Sequence, residues 1–353
     1  MISQTISFDS VIIDKIQRPD RHIEVNLNRL IYESNRSNIG SEPLKKPDSL
    51  VIRAGLAGGL PFNTLTTDIV SGCLPARHAC YGICFAAKQS WKQGIDFGTR
   101  VLNHFDSDIF RTDLERLPET QGYVRNGWNS DPSWAWKQAL TLAEAVQESG
   151  RLPVFITKAF TQIDARMCAD LAKSGAEIRV SISAFDNHIQ LTHRMQFILN
   201  YRKAGGIVVP ILMSAKFKNR ALTERQDRMV DWLTIHDLPA AENSLRFPVD
   251  APVTQLIEVN STRRITDSND VWSGRLYADR LVIPTTTTVP DSYRGLGCGF
   301  LSKLNMGFVQ SLFHDPVKTH EEVMESIEDQ RPPAQCGVGH VRPVKGLSIK
   351  PNR

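Results

Sequence analysis

Three of the chain's six cysteines lie close together, at Cys73, Cys80 and Cys84. Their spacing is C-x6-C-x3-C, and a proline and a glycine shape the connections between the thiols. Thiolates on a short, bent segment are ligands for zinc or for an iron–sulfur cluster. The stretch 62–88 therefore predicts a metal centre, and the rest of the chain has to position it.

Composition narrows the class of protein. The chain has 353 residues, of which 41% are hydrophobic and 23% charged, and its net charge is +4. That charge is too small and too dispersed to indicate nucleic acid by itself. The sequence has no run of about 18 apolar residues and no basic, apolar signal peptide at its start. We therefore expect a cytoplasmic protein with no membrane association, in which clustered cysteines bind metal rather than form disulfides.

From residue 62 to about residue 250, strand-like and helix-like segments alternate. Apolar residues recur with helical spacing between the strands, as they do along Trp136–Glu148. Hairpin signals and the glycine-rich dinucleotide fingerprint are missing, which favours an α/β barrel or partial barrel over a doubly wound sheet. The predicted strands are Leu65–Val70, Gly122–Arg125, Leu152–Lys158, Glu177–Ala184, Ile207–Met213 and Ser244–Val249.

Two extensions flank these units. Residues 1–61 are predicted as an N-terminal extension, with a β-like piece near Ile23–Leu27. Residues 251–353 are predicted as a C-terminal region that binds or caps substrate. In barrels of parallel strands, active sites lie at the carboxyl ends of the strands. The cysteine segment follows the first predicted strand, so we expect it at that edge.

The position of the cysteine segment and the order of the repeated units resemble the radical S-adenosylmethionine (radical SAM) superfamily. The resemblance covers residues 62–250 and implies a partial (β/α)6 TIM-type barrel. It also implies a [4Fe-4S] cluster held by Cys73, Cys80 and Cys84, with one iron left for S-adenosyl-L-methionine (SAM). The superfamily's usual spacing is C-x3-C-x2-C, with an aromatic residue before the last cysteine. Here Ile83 holds that place, and Tyr81 is the nearby aromatic candidate for a cofactor contact.

The resemblance further implies residues that hold SAM. Four candidates follow the second strand, where the superfamily has its glycine-rich amine-binding segment. Two serines lie in the fourth strand, where hydroxyls often contact the ribose or the carboxylate. An arginine in the next helix offers a planar fork that suits a carboxylate, and a lysine ends the third strand. The candidates are Asn126, Asn129, Ser130, Asp131, Lys158, Ser181, Ser183 and Arg194.

The activity implied by the resemblance is reductive cleavage of SAM and abstraction of a hydrogen atom from a substrate. A donor such as flavodoxin or ferredoxin would supply the electron. The substrate is left open between a small molecule, a peptide, and an RNA contacted by Arg342, Lys345 and Lys350. Cys298, in a glycine-rich bend, is a candidate catalytic thiol that donates a hydrogen atom or relays a group.

Other interpretations of the same residues stay open. Zinc bound by the three cysteines and His78 would make the chain a zinc-stabilised barrel or a nucleic-acid-binding protein. Asp131, just before a proline, suits the start of a helix as well as a ligand. Ser181 and Ser183 can be the polar face of a half-buried strand, and Arg194 can be a solvated helix residue. Trp134 can pack over the barrel mouth or line a substrate pocket.

Overall fold

The computed structural model of the chain describes residues 21–36, 43–56, 64–74, 84–117, 123–259, 261–264, 269–273, 276–277 and 280–281. Within these ranges the helices are α1 (Arg21–Arg36), α2 (Phe85–Lys92), α3 (Ser107–Glu115), α4 (Trp136–Glu148), α5 (Ala165–Lys173), α6 (His188–Lys203) and α7 (Arg220–Ile235). Short 3-10 turns cover Pro132–Ala135 and Pro252–Leu256. Helix α4 has the bounds predicted from its apolar periodicity, so that prediction is confirmed.

The strands of the described residues are β1 (Ala54–Leu56), β2 (Thr64–Thr66), β3 (Val70–Ser71), β4 (Val101–Leu102), β5 (Tyr123–Asn126), β6 (Leu152–Thr157), β7 (Glu177–Ile182), β8 (Ile207–Ser214), β9 (Ala241–Ser244), β10 (Arg246–Pro248), β11 (Ser261–Arg264) and β12 (Asn269–Trp272). Seven of them form the main sheet, in the order β1-β2-β5-β6-β7-β8-β9. Strand β1 runs antiparallel to β2, and the other neighbours are parallel.

The order of the parallel strands bears on the predicted architecture. Consecutive parallel strands of the main sheet are neighbours in it, so the described sheet lacks the reversal of order that marks a doubly wound fold. Helices α4, α5 and α6 pack side by side. The α/β class with a mostly parallel sheet is therefore confirmed, and the order is compatible with a partial barrel. No pairing between β1 and β9 closes the sheet among the described residues.

Polar side chains begin the helices that return along the sheet. Asp164 accepts the Met167 N–H at 2.7 Å, and Asn219 accepts those of the first residues of α7. Asn187 and Gln190 form a reciprocal capping box at the start of α6. Such caps satisfy the free N–H groups of a first helical turn, each stabilising the helix by about 1 kcal/mol. Beneath them, the buried aliphatic residues of β7 and β8 pack on the helices as one core.

Three strand or helix predictions differ from the structure. The predicted strand Leu65–Val70 is broken at Asp68, whose carbonyl accepts the Asn103 Nδ2 at 2.7 Å, and its second part pairs with β4. The sixth parallel strand is β9 rather than Ser244–Val249. Strand β9 contains the buried Glu242, which accepts a hydrogen bond from Ser214 Oγ at 2.6 Å. Because a charged residue interrupts the apolar pattern, that pattern does not predict the strand. The prediction of a β-like piece at Ile23–Leu27 is also wrong.

Residues 23–27 belong instead to helix α1. Its Leu27 and Leu30 are three residues apart and both buried, which is helical spacing. The helix packs on the turn Pro252–Leu256, where Ser34 Oγ accepts the Val253 N–H at 3.1 Å. A small sheet, in the order β10-β12-β11, lies beyond the main one. Among the helices described, none combines the length and the apolar character needed to cross a membrane.

Candidate metal and cofactor site

Two of the three predicted ligand cysteines lie in one apolar cluster. Cys73 is buried, and its N–H donates to the Phe97 carbonyl at 2.7 Å. Cys84 is half-buried and immediately precedes helix α2. Cys73 belongs to a buried cluster with Ala87 and Trp91 of that helix, and Cys84 packs against the same cluster. The helix thus brings Cys84 back to the cluster that holds Cys73, as a shared metal site requires.

Gly72 allows the chain to turn immediately before Cys73. Its φ angle is +80°, a left-handed conformation that a side chain strains. A Cβ at this position would lie 2.1 Å from the Thr99 carbonyl oxygen. Only glycine therefore permits this close approach. The direction in which Cys73 leaves strand β3 is fixed by the backbone.

An aromatic stack borders the Cys73 sulfur. Trp134 Nε1 donates a hydrogen bond to Cys73 Sγ, with 3.3 Å between nitrogen and sulfur. The Trp134 ring stacks on Phe160, with 5.0 Å between the ring centroids and 12° between the planes. The Arg100 guanidinium lies over the Trp134 ring at 4.0 Å, and that of Arg194 lies over Phe160 at 5.6 Å. The sulfur thus faces the N–H group of a ring that contacts both an aromatic side chain and the Arg100 cation.

The loop after β5, residues 127–130, is held by the buried carboxylate of Asp68. Oδ1 accepts the N–H groups of Gly127 and Trp128 at 3.1 and 3.0 Å, and Oδ2 accepts that of Asn129 at 2.8 Å. Burial raises the pKa of Asp68 from 3.8 to about 6, and the backbone N–H donors of the loop oppose that rise. At the far end of the loop, Ser130 Oγ donates to the Gly72 carbonyl at 2.5 Å. These bonds tie the loop to the residue next to Cys73.

Asn126 ends β5 with an amide that is only half satisfied. Its Nδ2 donates to Thr66 Oγ1 at 2.7 Å and to the Thr67 carbonyl at 3.3 Å. A carbonyl can only accept, so this contact fixes which amide atom is the nitrogen. Oδ1 is buried and has no hydrogen-bond partner among the described atoms. A buried, unpaired acceptor is energetically costly, so it marks the carboxyl end of β5 as a candidate position for a ligand's N–H group.

Asp131 is held by the protein itself. Oδ1 accepts the Ser133 N–H at 2.9 Å and the Thr157 hydroxyl at 2.6 Å. Oδ2 accepts the Lys158 N–H at 2.7 Å. The residue caps the turn that carries Trp134 and joins it to the end of β6. The alternative interpretation as a cap is therefore seen directly, while a direct contact of Asp131 with a cofactor stays a prediction.

The remaining described candidates follow the same pattern of internal contacts. Buried Arg194 forms an ion pair with Asp186, and its Nε donates to the Lys158 carbonyl at 2.6 Å. Asp186 also accepts the Ser183 N–H at 2.8 Å. Ser181 and Ser183 are both buried, so they do not form the polar face of a half-buried strand. Because Arg194 is buried too, its interpretation as a solvated helix residue is wrong. Its interpretation as a contact of the SAM carboxylate stays a prediction.

Several predicted residues fall outside the described ranges. The described residues contain no group of three or more His, Cys, Asp or Glu side chains arranged to hold a metal ion. The second predicted ligand, Cys80, lies outside the described residues, so a group that includes Cys80 is not tested. The predicted residues that lie outside the described ranges are His78, Cys80, Tyr81, Cys298, Arg342, Lys345 and Lys350.

Sequence reasoning missed two residues that build the site. Asp68 lies inside the predicted strand Leu65–Val70, and an acidic residue within a β-prone run is a signal that the strand ends there. Trp134 was treated only as packing or a pocket wall. Nothing in the sequence connects its indole to Cys73, since 61 positions separate the two residues.

Comparisons with known proteins leave the class of protein to be argued from the site. The sequence matches no protein-family model, and it matches no curated protein.

Proposed function

We propose that the protein is a radical SAM enzyme on an open, partial (β/α)6 barrel. The observation that carries the proposal is the placement of the cysteine segment. It follows the first of six parallel strands that neighbour one another in chain order. Carboxyl ends of such strands meet at one edge, where ligand sites of barrels lie. Two of the three cysteines are packed in one cluster there.

The donor set suits an iron–sulfur cluster. Cys73 and Cys84 share an apolar surrounding that includes Ala87 and Trp91, and the sulfur of Cys73 accepts an indole N–H. Thiolates in apolar surroundings with N–H donors are typical of such clusters. Cys73, Cys80 and Cys84 would hold the cluster and leave one iron without a protein ligand. When bound, the cluster supplies the electron that cleaves the sulfonium C–S bond of SAM.

The chain's own residues would bind and orient SAM. Asn126 Oδ1 is an unpaired acceptor that can take an N–H of the amino group of SAM. The loop 127–130 lies beside it, anchored by Asp68 at one end and by Ser130 at the other. Next to the loop, exposed Phe85 packs edge-on against Trp128, with 5.9 Å between centroids. This exposed pair offers an apolar rim for a substrate.

The ion pair of Arg194 and Asp186 has a supporting part in this proposal. It fixes the carbonyl of Lys158, whose N–H is held by Asp131. Asp131 in turn caps the turn that carries Trp134. Orientation of the site therefore depends on a chain of buried contacts behind it. An electron donor such as flavodoxin or ferredoxin, and a small-molecule, peptide or RNA substrate, remain the proposed partners.

Metal content tests this proposal most simply. Protein purified without oxygen and reconstituted with iron and sulfide should bind about four of each per chain. Its broad visible absorbance should be lost when Cys73, Cys80 and Cys84 are replaced by Ala. Cys168→Ala is the matched control, since Cys168 is a buried thiol of helix α5 in a different apolar cluster. The control variant should retain the absorbance.

The zinc interpretation gives the opposite outcome. A colourless protein with one zinc per chain, lost on replacing His78 as well as the cysteines, contradicts the proposed function.

RNA binding that falls steeply with salt identifies a nucleic-acid substrate, because such binding releases counterions.

A further inference from the structure

The indole N–H of Trp134 is aimed at a predicted metal ligand. The distance of 3.3 Å from Nε1 to Cys73 Sγ is within hydrogen-bond range for a sulfur acceptor. An indole nitrogen can only donate, so the direction of this bond is fixed. The neighbouring Trp136 has the same group, which donates to the Thr161 carbonyl at 3.2 Å. Two tryptophans, two positions apart, thus direct their N–H groups at different acceptors.

The Trp134 ring is held in place by its neighbours. Phe160 stacks on it nearly parallel, and Arg100 lies over it at 4.0 Å. The turn that carries Trp134 starts at Asp131, which is bonded to Ser133 and to the end of β6. The donor therefore reaches the sulfur from a rigid base, which is how surrounding groups tune a metal centre.

We infer that Trp134 raises the reduction potential of the centre that is bound through Cys73. The inference rests on the proposed function. A reduced cluster carries one more negative charge than the oxidised cluster, and part of that charge lies on the ligand sulfurs. An N–H donor stabilises that charge, so reduction becomes easier. The nearby Arg100 cation acts in the same direction. Trp134 is a positioning and tuning residue, and it does not contact substrate in this account.

The test compares two conservative variants. Trp134→Phe keeps a stacking ring and removes the N–H group, whereas Trp136→Phe removes an N–H group that is bonded to a carbonyl. We expect the midpoint potential of the reconstituted cluster to become more negative in Trp134→Phe and to stay unchanged in Trp136→Phe. Potentials are measured by titration followed in visible absorbance and electron paramagnetic resonance. Equal potentials in Trp134→Phe and the unmodified protein overturn the inference.

A measurement on the unmodified protein covers the case in which Trp134→Phe does not fold: with tryptophan labelled by ¹⁵N in the indole ring, the reduced cluster should show hyperfine coupling to ¹⁵N, and its absence overturns the inference. A second variant tests the contribution of the Arg100 cation. Arg100→Gln changes an exposed side chain and removes only the cation over the ring. It should move the potential in the same direction by a smaller amount, and an unchanged potential overturns the contribution assigned to the Arg100 cation.

Cobalt separates this inference from the proposed function. Co²⁺ bound by thiolates absorbs through sulfur-to-metal charge transfer, and an N–H bond to sulfur moves that band to shorter wavelength. Loss of the N–H in Trp134→Phe should move it to longer wavelength. A protein that binds cobalt with this shift but assembles no cluster overturns the proposed function alone. A protein that binds neither metal through Cys73 overturns both.

Discussion

The two halves of the sheet's carboxyl edge differ in how their polar groups are satisfied. At β6 and β7, Asp131 receives three hydrogen bonds, and Asp186 is paired with Arg194. At β2 and β5, Asp68 is held by backbone N–H groups, and Asn126 has an unpaired buried oxygen. Complete pairing is typical of a structural framework. Incomplete pairing and a raised pKa are typical of sites that await a ligand.

This contrast distinguishes a half of the edge that supports the candidate site from a half that contains its proposed binding groups. The half with β6 and β7 carries Trp134 and Phe160 toward the cysteines, and the half with β2 and β5 contains the groups that we propose for binding the cofactor. Changes in the first half should act on stability. Changes in the second half should act mainly on binding, and their effects on stability should be smaller.

The largest loss of stability is expected from Asp186→Ala. It leaves the buried Arg194 cation without its carboxylate, at a cost of about 4 kcal/mol in the free energy of unfolding. Urea unfolding of the metal-free protein measures it. The control is Asp170→Ala, which removes an exposed partner of Arg166 at 3.8 Å and should cost less than about 0.5 kcal/mol. Equal losses in the two variants contradict the supporting role of the buried pair.

The next effect is a pH dependence that Asp68 creates. Its pKa is 3.8 when unfolded and about 6 when folded, so the folded state binds the proton more tightly. The resulting stabilisation is fully present below 3.8 and is lost as the pH rises through about 6. Relative to Asp68→Asn, the unmodified protein should lose about 2.4 kcal/mol of unfolding free energy between about pH 4 and about pH 7. A difference that does not vary with pH contradicts this environment for Asp68.

A smaller effect is expected at Gly127. Its φ angle is +94°, and a Cβ there would lie 2.1 Å from the Ile156 carbonyl oxygen. Gly150 has a similar φ of +76° with open space around it. Gly127→Ala should therefore destabilise the protein by about 2 kcal/mol more than Gly150→Ala, because both variants bear the left-handed strain and only one meets the clash. Thermal unfolding of the two variants measures the difference.

The smallest change in free energy is expected for the binding of SAM to Asn126→Ala. Loss of the unpaired Oδ1 should weaken binding about tenfold, or about 1.4 kcal/mol. Equilibrium binding of SAM to the cluster-loaded protein measures it. Gln138→Ala removes an amide on helix α4 that donates to the Asn103 carbonyl, and it should leave the affinity unchanged. An unchanged affinity in Asn126→Ala removes this residue from the site.

Some of this arrangement could be predicted from the sequence. Buried strands such as β7 and β8 are rich in Val and Ile, and helix α4 repeats its apolar residues at helical spacing, so local patterns identify them. Strand β9 was missed because buried Glu242 is satisfied by partners distant in sequence, among them Ser214 and the Tyr277 N–H. Such pairing does not appear in a local pattern.

The candidate site could likewise be predicted from the sequence only in part. The cysteine spacing predicts a metal centre, since ligands of one metal can be close in sequence. The contacts of Trp134 with Cys73 and of Asp68 with the loop 127–130 join residues about 60 positions apart. They depend on the alignment of β2 with β5 in the sheet. Only the folded chain reveals them.

Cleavage of SAM tests the central claim most directly. Cluster-loaded protein, reduced with dithionite in the absence of oxygen, is incubated with SAM, and the products are separated by chromatography. The account predicts 5′-deoxyadenosine and methionine from the unmodified protein and from Cys168→Ala, and neither from Cys73→Ala. Intact SAM after incubation with a protein that carries a full, reducible cluster would contradict it.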